Sequence, residues 1–183
     1  MVTAAPGEDR SPALALVNTW RLTAGGQVDD LASPAGAASW LRVAAVDAHE
    51  LGRLTELRAA VRELLGALAE ERAPEVGAVE TVNAAARADA AAPQLVWGDG
   101  PLVEWQSARP GSFDAALAAL ARDAIDVVGG ELGLLVRACE AHGCVRYFVR
   151  EHARRRWCST TCGDRVRAAR HQRLVVEQRD GSR

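Results

Sequence analysis

The four cysteines of this 183-residue chain all fall within 24 residues, as Cys139-x4-Cys144-x13-Cys158-x3-Cys162. Two short-spaced pairs separated by a loop are the ligand pattern of a structural Zn²⁺ site, in which four thiolates close a tetrahedron and a segment too short for its own core folds on the metal. Disulfides or reactive thiols are the competing chemistries. The opening MVTAAPGEDRSPA carries Glu8 and Asp9 and lacks a basic start followed by an apolar run, so secretion is not expected, and a cytoplasmic, reducing compartment disfavours disulfides. Catalytic thiols act singly or as one Cys-x-x-Cys pair, whereas all four here form one set. The expectation is one structural zinc per chain on Cys139, Cys144, Cys158 and Cys162. Such a closed site leaves no position for water or substrate, so the metal is not catalytic. His142 and His152 lie in the same segment and, with the tetrahedron complete, read as exposed loop histidines.

Arginine crowds the same segment. Arg154, Arg155 and Arg156 run into Trp157; beyond the last cysteine, Arg167 and Arg170 are three apart, as are Arg170 and Arg173, with Arg165 elsewhere around the helix. A basic loop beside a basic helix, with an interleaved aromatic, suits phosphate contact. Arg154, Arg155, Arg156, Arg165, Arg167 and Arg170 are therefore the candidate nucleic-acid contacts, and pairing with an acidic neighbouring domain is the bland alternative. All 22 basic residues are arginine, whose planar guanidinium contacts phosphate and guanine edges in a bidentate way that an ammonium cannot copy.

The net charge of −2 hides an asymmetry. Residues 1–136 carry 10 Arg against 19 acidic residues, net −9, and residues 137–183 carry 12 against 5, net +7. Hydrophobic residues make up 49%, but no apolar run approaches the ~20 residues of a membrane span, so no membrane role is expected.

The elements that must position these groups read as an α+β chain: a mainly helical first domain with a small antiparallel hairpin, then a treble-clef-like finger. Residues 1–12 read as a disordered leader, 13–133 as the helical domain, 134–176 as the finger and 177–183 as a tail. Leu14, Val17 and Leu22 beside Trp20 sit at near-helical spacing, with Gly25-Gly26 ending that helix. Ser33-Pro34 is an N-cap and first-turn proline for a helix through Trp40 and Leu41. Asp47 caps the next segment, where Leu54, Leu57, Val61, Leu64, Leu65 and Leu68 keep one face until Pro74. A further helix spans Pro74 to Ala92. QLVWGDGPLVEWQS then reads as a hairpin turning at Gly98–Pro101, with Trp97 and Trp105 packing on helices, and Ser112 caps a helix from Phe113 to Val128. In the finger, strands Leu134–Ala138 and Val145–Val149 flank a knuckle near Gly143, and Ser159 caps a helix whose first turn holds the second cysteine pair.

The first domain contains no Gly-rich phosphate loop, no Gly-x-Ser-x-Gly elbow and no His-Glu-x-x-His, and enzyme activity is not expected. Arg155-Arg156-Trp157-Cys158-x3-Cys162-Gly163-Asp164-Arg165, with Cys139-x4-Cys144 and Phe148 upstream, resembles the CGNR zinc-finger family, whose signature places Arg-Arg-Trp-Cys before Cys-Gly-Asn-Arg. Leu14-Ala15-Leu16-Val17-Asn18-Thr19, the alanine-rich helices and the Leu95-Val96-Trp97 hairpin resemble the ABATE domain that precedes that finger. The resemblance covers about residues 13–175 and implies a bacterial stress-induced transcription regulator, with the four cysteines as ligands, Gly163 and Arg165 as signature residues and DNA as partner. Asp164 stands where the signature has Asn, placing an anion that phosphate repels. A single short finger gives little specificity, so the reading includes a homodimer. Its alternative is a protein-interaction adaptor with a purely structural zinc module.

Overall fold

The computed structural model describes residues 4–23 and 25–180, with side chains described up to Gln178. Among the described residues there are six α-helices and three two-stranded antiparallel sheets, with a helical core and a smaller cluster around the cysteines. The first helix, α1 (Pro12–Val17), starts on Ser11, whose Oγ accepts from Leu14 N, with Pro12 at its first position. It ends at Asn18, so the single helix expected up to Gly25-Gly26 is corrected to a six-residue helix followed by a hairpin, β1 (Trp20–Thr23) and β2 (Gly26–Asp29). The Thr19 hydroxyl donates to Leu16 O at 2.7 Å and turns the chain out of the helix. Gly26, at φ +111°, then supplies the left-handed residue the tight return needs.

Helix α2 (Pro34–Leu41) follows its Ser33 cap as expected, and α3 (Ala48–Ala69) opens on a complete capping box between Asp47 and Glu50. Its Leu54, Leu57, Val61, Leu64 and Leu65 are buried. At about 1.5–3 kcal/mol per side chain, that stripe contributes on the order of 10 kcal/mol as an upper bound. Pro74 is not what stops α3: the helix ends at Ala69, and Glu71 takes a left-handed turn at φ 52°. Helix α4 (Val76–Ala86) is shorter than the expected Pro74–Ala92 helix, because the chain from Ala91 is already strand. Helix α5 (Phe113–Gly129), capped by Ser112, buries Leu117, Leu120, Ala121 and Ala124 against α1, α3 and α4.

Between α4 and α5 stands the hairpin of β3 (Ala91–Trp97) and β4 (Pro101–Ser107). Trp97 and Trp105, expected to pack on helices, are instead 73% and 59% exposed, with Arg122 of α5 lying 5.7 Å over the Trp105 ring. Nearly every residue of the ribbon is exposed, and apart from Arg122 at Trp105 both faces are open, which residue type alone could not reveal.

A short 3₁₀ turn (Gly133–Leu135) leads into β5 (Val136–Ala138), which pairs with β6 (Tyr147–Val149); α6 (Thr160–Asp180) follows the last knuckle. The expected boundary at residue 134 divides a shared core. Val136 and Val149 are buried in the helical core, while Phe148, on the opposite face of β6, is buried with the cysteines. The leader expected to be disordered is placed over residues 4–11: Val149 N donates to Pro6 O at 2.8 Å and Ala5 is buried in the finger cluster. The amide of β6 needs a partner there, and the small residues Ala5 and Gly7 fit against the finger where larger ones would not. The reading of residues 177–183 as a tail is also corrected, since α6 continues to Asp180; residues 1–3 and 181–183 lie outside the described residues.

Candidate metal centre

The first knuckle is set by β5 and β6. Cys139 N donates to Arg146 O at 2.9 Å and Cys144 N to Ala141 O at 2.8 Å, with Gly143 at φ +72° closing the turn between them. Glu140 N donates to Arg156 O at 3.1 Å, which ties the loop before the second knuckle to the first. Cys158 lies just before α6 and Cys162 in its first turn, where Cys162 N donates to Ser159 Oγ at 3.2 Å. Cys158 N also points to Cys139 Sγ, at 3.4 Å.

All four sulfurs lie within 4.8 Å of one another, and three pairs, Cys144–Cys158, Cys158–Cys162 and Cys162–Cys144, are 3.8, 3.7 and 3.8 Å apart. A tetrahedron with Zn–S of about 2.3 Å has edges of about 3.8 Å, so the spacing fits zinc. The donor set is all soft sulfur, as Zn²⁺ thiolate sites require. Hydrogen bonds from Cys144 and Cys158 hold the Cys139 thiol well below the ordinary thiol range, while hydrogen bonding to Cys139 pushes Cys144 and Cys158 upward. A dication is what makes four adjacent thiolates stable. Cys139, Cys158 and Cys162 are buried and Cys144 is half-buried. His142 and His152 are exposed and outside the set, as expected, and His142 O instead accepts from Arg165 at 3.0 Å.

Residues around the sulfurs explain the signature run. A Cβ on Gly163 would come within 3.1 Å of Trp157 and 3.2 Å of Arg167, so glycine lets the indole lie flat on α6. Arg167 then covers the same ring at 6.0 Å and pairs with Asp164 at 2.5 Å. Asp164, where the signature has Asn, is therefore matched within its own helix by Arg167.

The six candidate arginines do not form one surface. At 3.6 residues per turn, Arg165 lies roughly 160° around α6 from Arg167, while Arg167 and Arg170 are about 60° apart. Arg165 and Arg173 line a groove of about 800 Å³ between α6 and residues 140–142. Arg156 pairs with Glu140, Nε to Oε2 at 2.6 Å, and Arg154 and Arg170 are exposed.

Sequence reasoning missed the groups that dock the finger. Glu8 takes Arg146 Nη2 and Asn18 Nδ2, both at 2.6 Å. Asn18 brackets Tyr147, accepting from its N at 2.9 Å and donating to its O at 2.8 Å. Arg62 donates to Val145 O and lies over the Trp20 and Tyr147 rings. Asn18 stands inside the Leu14–Thr19 run that carries the family resemblance, which was the available signal.

A family model described as "Putative stress-induced transcription regulator", the ABATE family, matches residues 10–131, and the CGNR zinc-finger model matches residues 136–173. Comparison with curated proteins finds no match.

Proposed function

The chain belongs to the ABATE family and carries a CGNR zinc finger, and from that premise we propose that it regulates transcription by binding duplex DNA through the finger. The observation that carries this reading is α6. It is 21 residues long, about 32 Å, and is fixed at its first turn by the metal centre. From Arg167 to Gln178 every side chain is exposed. A helix held at one end and bare along its length, with Arg167 and Arg170 on one face, has the form of a groove-reading element. In this reading Arg154, Arg155 and Arg156, in the loop before Cys158, take the phosphates. The pairs Arg156–Glu140 and Arg167–Asp164 are exposed, and such pairs are worth about 0–1 kcal/mol, so re-aiming either arginine at DNA costs little. The metal shapes this surface and has no catalytic part, and the helical domain receives a stress signal or partner. The working compartment is the cytoplasm, consistent with the fact that no helix among the described residues is long and apolar enough to cross a membrane.

The adaptor reading is favoured by one observation: Arg156, Arg165 and Arg167 all have partners within the finger. A salt titration separates the two. In the full zinc-loaded chain, Arg155→Ala/Arg156→Ala is expected to shrink the salt slope by about 0.9 for each phosphate that is no longer neutralised and to weaken all duplexes alike. Arg167→Ala/Arg170→Ala is expected to relax preference by about 1–3 kcal/mol at single positions. If both variants bind like the parent at every salt concentration, the adaptor reading replaces this one.

A further inference from the structure

Beyond Ala91 and Ser107 at its base, one face of the β3–β4 ribbon is made of apolar side chains. Its register pairs Pro93 with Trp105, Leu95 with Val103 and Trp97 with Pro101, and the twofold alternation of strands puts all six on one side. Gln94, Glu104 and Gln106 lie on the other, with Ala92, Val96 and Leu102. Leu95, Trp97, Val103 and Trp105 are 69%, 73%, 62% and 59% exposed, and both prolines are exposed too. A bare two-stranded ribbon is marginal in water, and a contiguous apolar face of this kind marks a contact surface. The charge that reaches this face is Arg122 of α5, 5.7 Å over the Trp105 ring at its base; from Leu95 and Val103 to Trp97 and Pro101 the face offers apolar side chains alone, which suits an apolar occupant.

The sizes on this face are arranged diagonally. Trp97 is at the tip of β3 and Trp105 at the base of β4; Pro93 is at the base of β3 and Pro101 at the tip of β4. A twofold axis lying in the face, across the strands at Leu95 and Val103, carries each tryptophan onto a proline. Trp97 then lies over the partner's Pro93 and Trp105 over the partner's Pro101, while Leu95 and Val103 meet their own counterparts. The same axis sends the two helical bodies to opposite ends of the stacked ribbons. A face whose large residues land on its own small ones under a twofold rotation is self-complementary.

We propose that this face is the interface between two copies of the chain, stacked antiparallel through their β3–β4 ribbons. At 150–250 Å² for a whole indole, the exposed parts of the tryptophans in both copies supply roughly 500 Å². The leucine, valine and proline surfaces bring the total to about the 1,000 Å² at which specific interfaces begin, so the dimer is weak and concentration-dependent. It does not depend on how the arginines of the finger are read.

The test is analytical ultracentrifugation of the full zinc-loaded chain without DNA, from about 1 μM to about 1 mM. The parent is expected to pass from monomer to dimer in that range. Trp97→Glu and, separately, Leu95→Glu are expected to raise the dissociation constant about a hundredfold or more with unchanged circular dichroism, whereas Glu104→Gln on the opposite face leaves it unchanged. Using two separate face variants keeps the test informative if one perturbs the ribbon. A parent that stays monomeric to about 1 mM overturns the proposal and leaves the face to a different apolar protein. A dimer that survives both face variants overturns it as well, whatever the outcome of the DNA titration.

Discussion

Gly7→Ala reports whether the leader is part of the fold. Gly7 has φ +96°, and a Cβ there would lie 2.3 Å from Val149 Cγ2, 2.9 Å from Val149 Cβ and 3.0 Å from Leu14 Cδ2. A left-handed conformation costs an L-residue about 1–2 kcal/mol. Forcing a methyl into a filled core costs about 1–3 kcal/mol more, and both Val149 and Leu14 are buried with no room to retreat. The expected destabilisation is about 3 kcal/mol, or a fall in Tm of roughly 6–12 °C for a chain of this size. The second half of the argument is a double-mutant cycle. Val149→Ala alone removes two methyl-sized groups, about 2 kcal/mol, and takes away the 2.3 Å clash with Cγ2, while the Cβ at 2.9 Å and Leu14 Cδ2 at 3.0 Å stay. The double variant is therefore expected to lose about 4 kcal/mol where additivity gives about 5, a coupling of about 1 kcal/mol. Urea unfolding with unchanged m-value measures all three variants. If Gly7→Ala unfolds like the parent, or the cycle shows no coupling, residues 4–11 do not pack against β6.

Two further outcomes follow from the metal centre and the ion pairs. Metal analysis of protein purified without added zinc is expected to give about one equivalent per chain, and Cys158→Ser is expected to lose it. Because β6 buries Val149 in the helical core and Phe148 among the cysteines, that variant should lower the Tm of the helical part as well as the helicity of α6; an unaltered main transition refutes the shared hairpin. Asp29 is held below its ordinary 3.8, first by its hydrogen bonds from Arg58. A depressed carboxylate contributes stability above its unfolded value and loses it as pH falls through the folded one. The stability gap between the parent and Asp29→Asn is therefore expected to be full at pH 6 and to narrow below pH 3.8, read as Tm against pH; a gap that stays constant there removes the pair from the account.

Local signals were legible where they needed no knowledge of neighbours. Ser33-Pro34, Asp47, Ser112 and the Gly98–Pro101 turn each fix backbone geometry within four residues, and each appears where the sequence places it. The four cysteines were legible for the same reason, since thiolate chemistry and spacing suffice. The leader was not, because Ala5, Gly7 and Glu8 look like solvent-exposed residues until β6 and Arg146 are beside them. Trp20–Thr23 read as helix because Leu14, Val17 and Leu22 match a helical period by coincidence, and the Asn18 contacts that interrupt it reach 129 residues along the chain.

The same long-range contacts decide what the helical domain can communicate to the finger. Glu8 sits between Arg146, on the finger side, and Asn18, at the end of α1, and Asn18 in turn holds both backbone groups of Tyr147. Phe148, one residue on, is buried with Cys139, Cys158 and Cys162. Two residues of β6 thus link α1 and the leader to the cysteine cluster, because strand neighbours face opposite cores. The first domain holds the finger through Glu8, Asn18 and Arg62, the Pro6 carbonyl, the exposed Arg10–Glu151 pair and a shared hairpin.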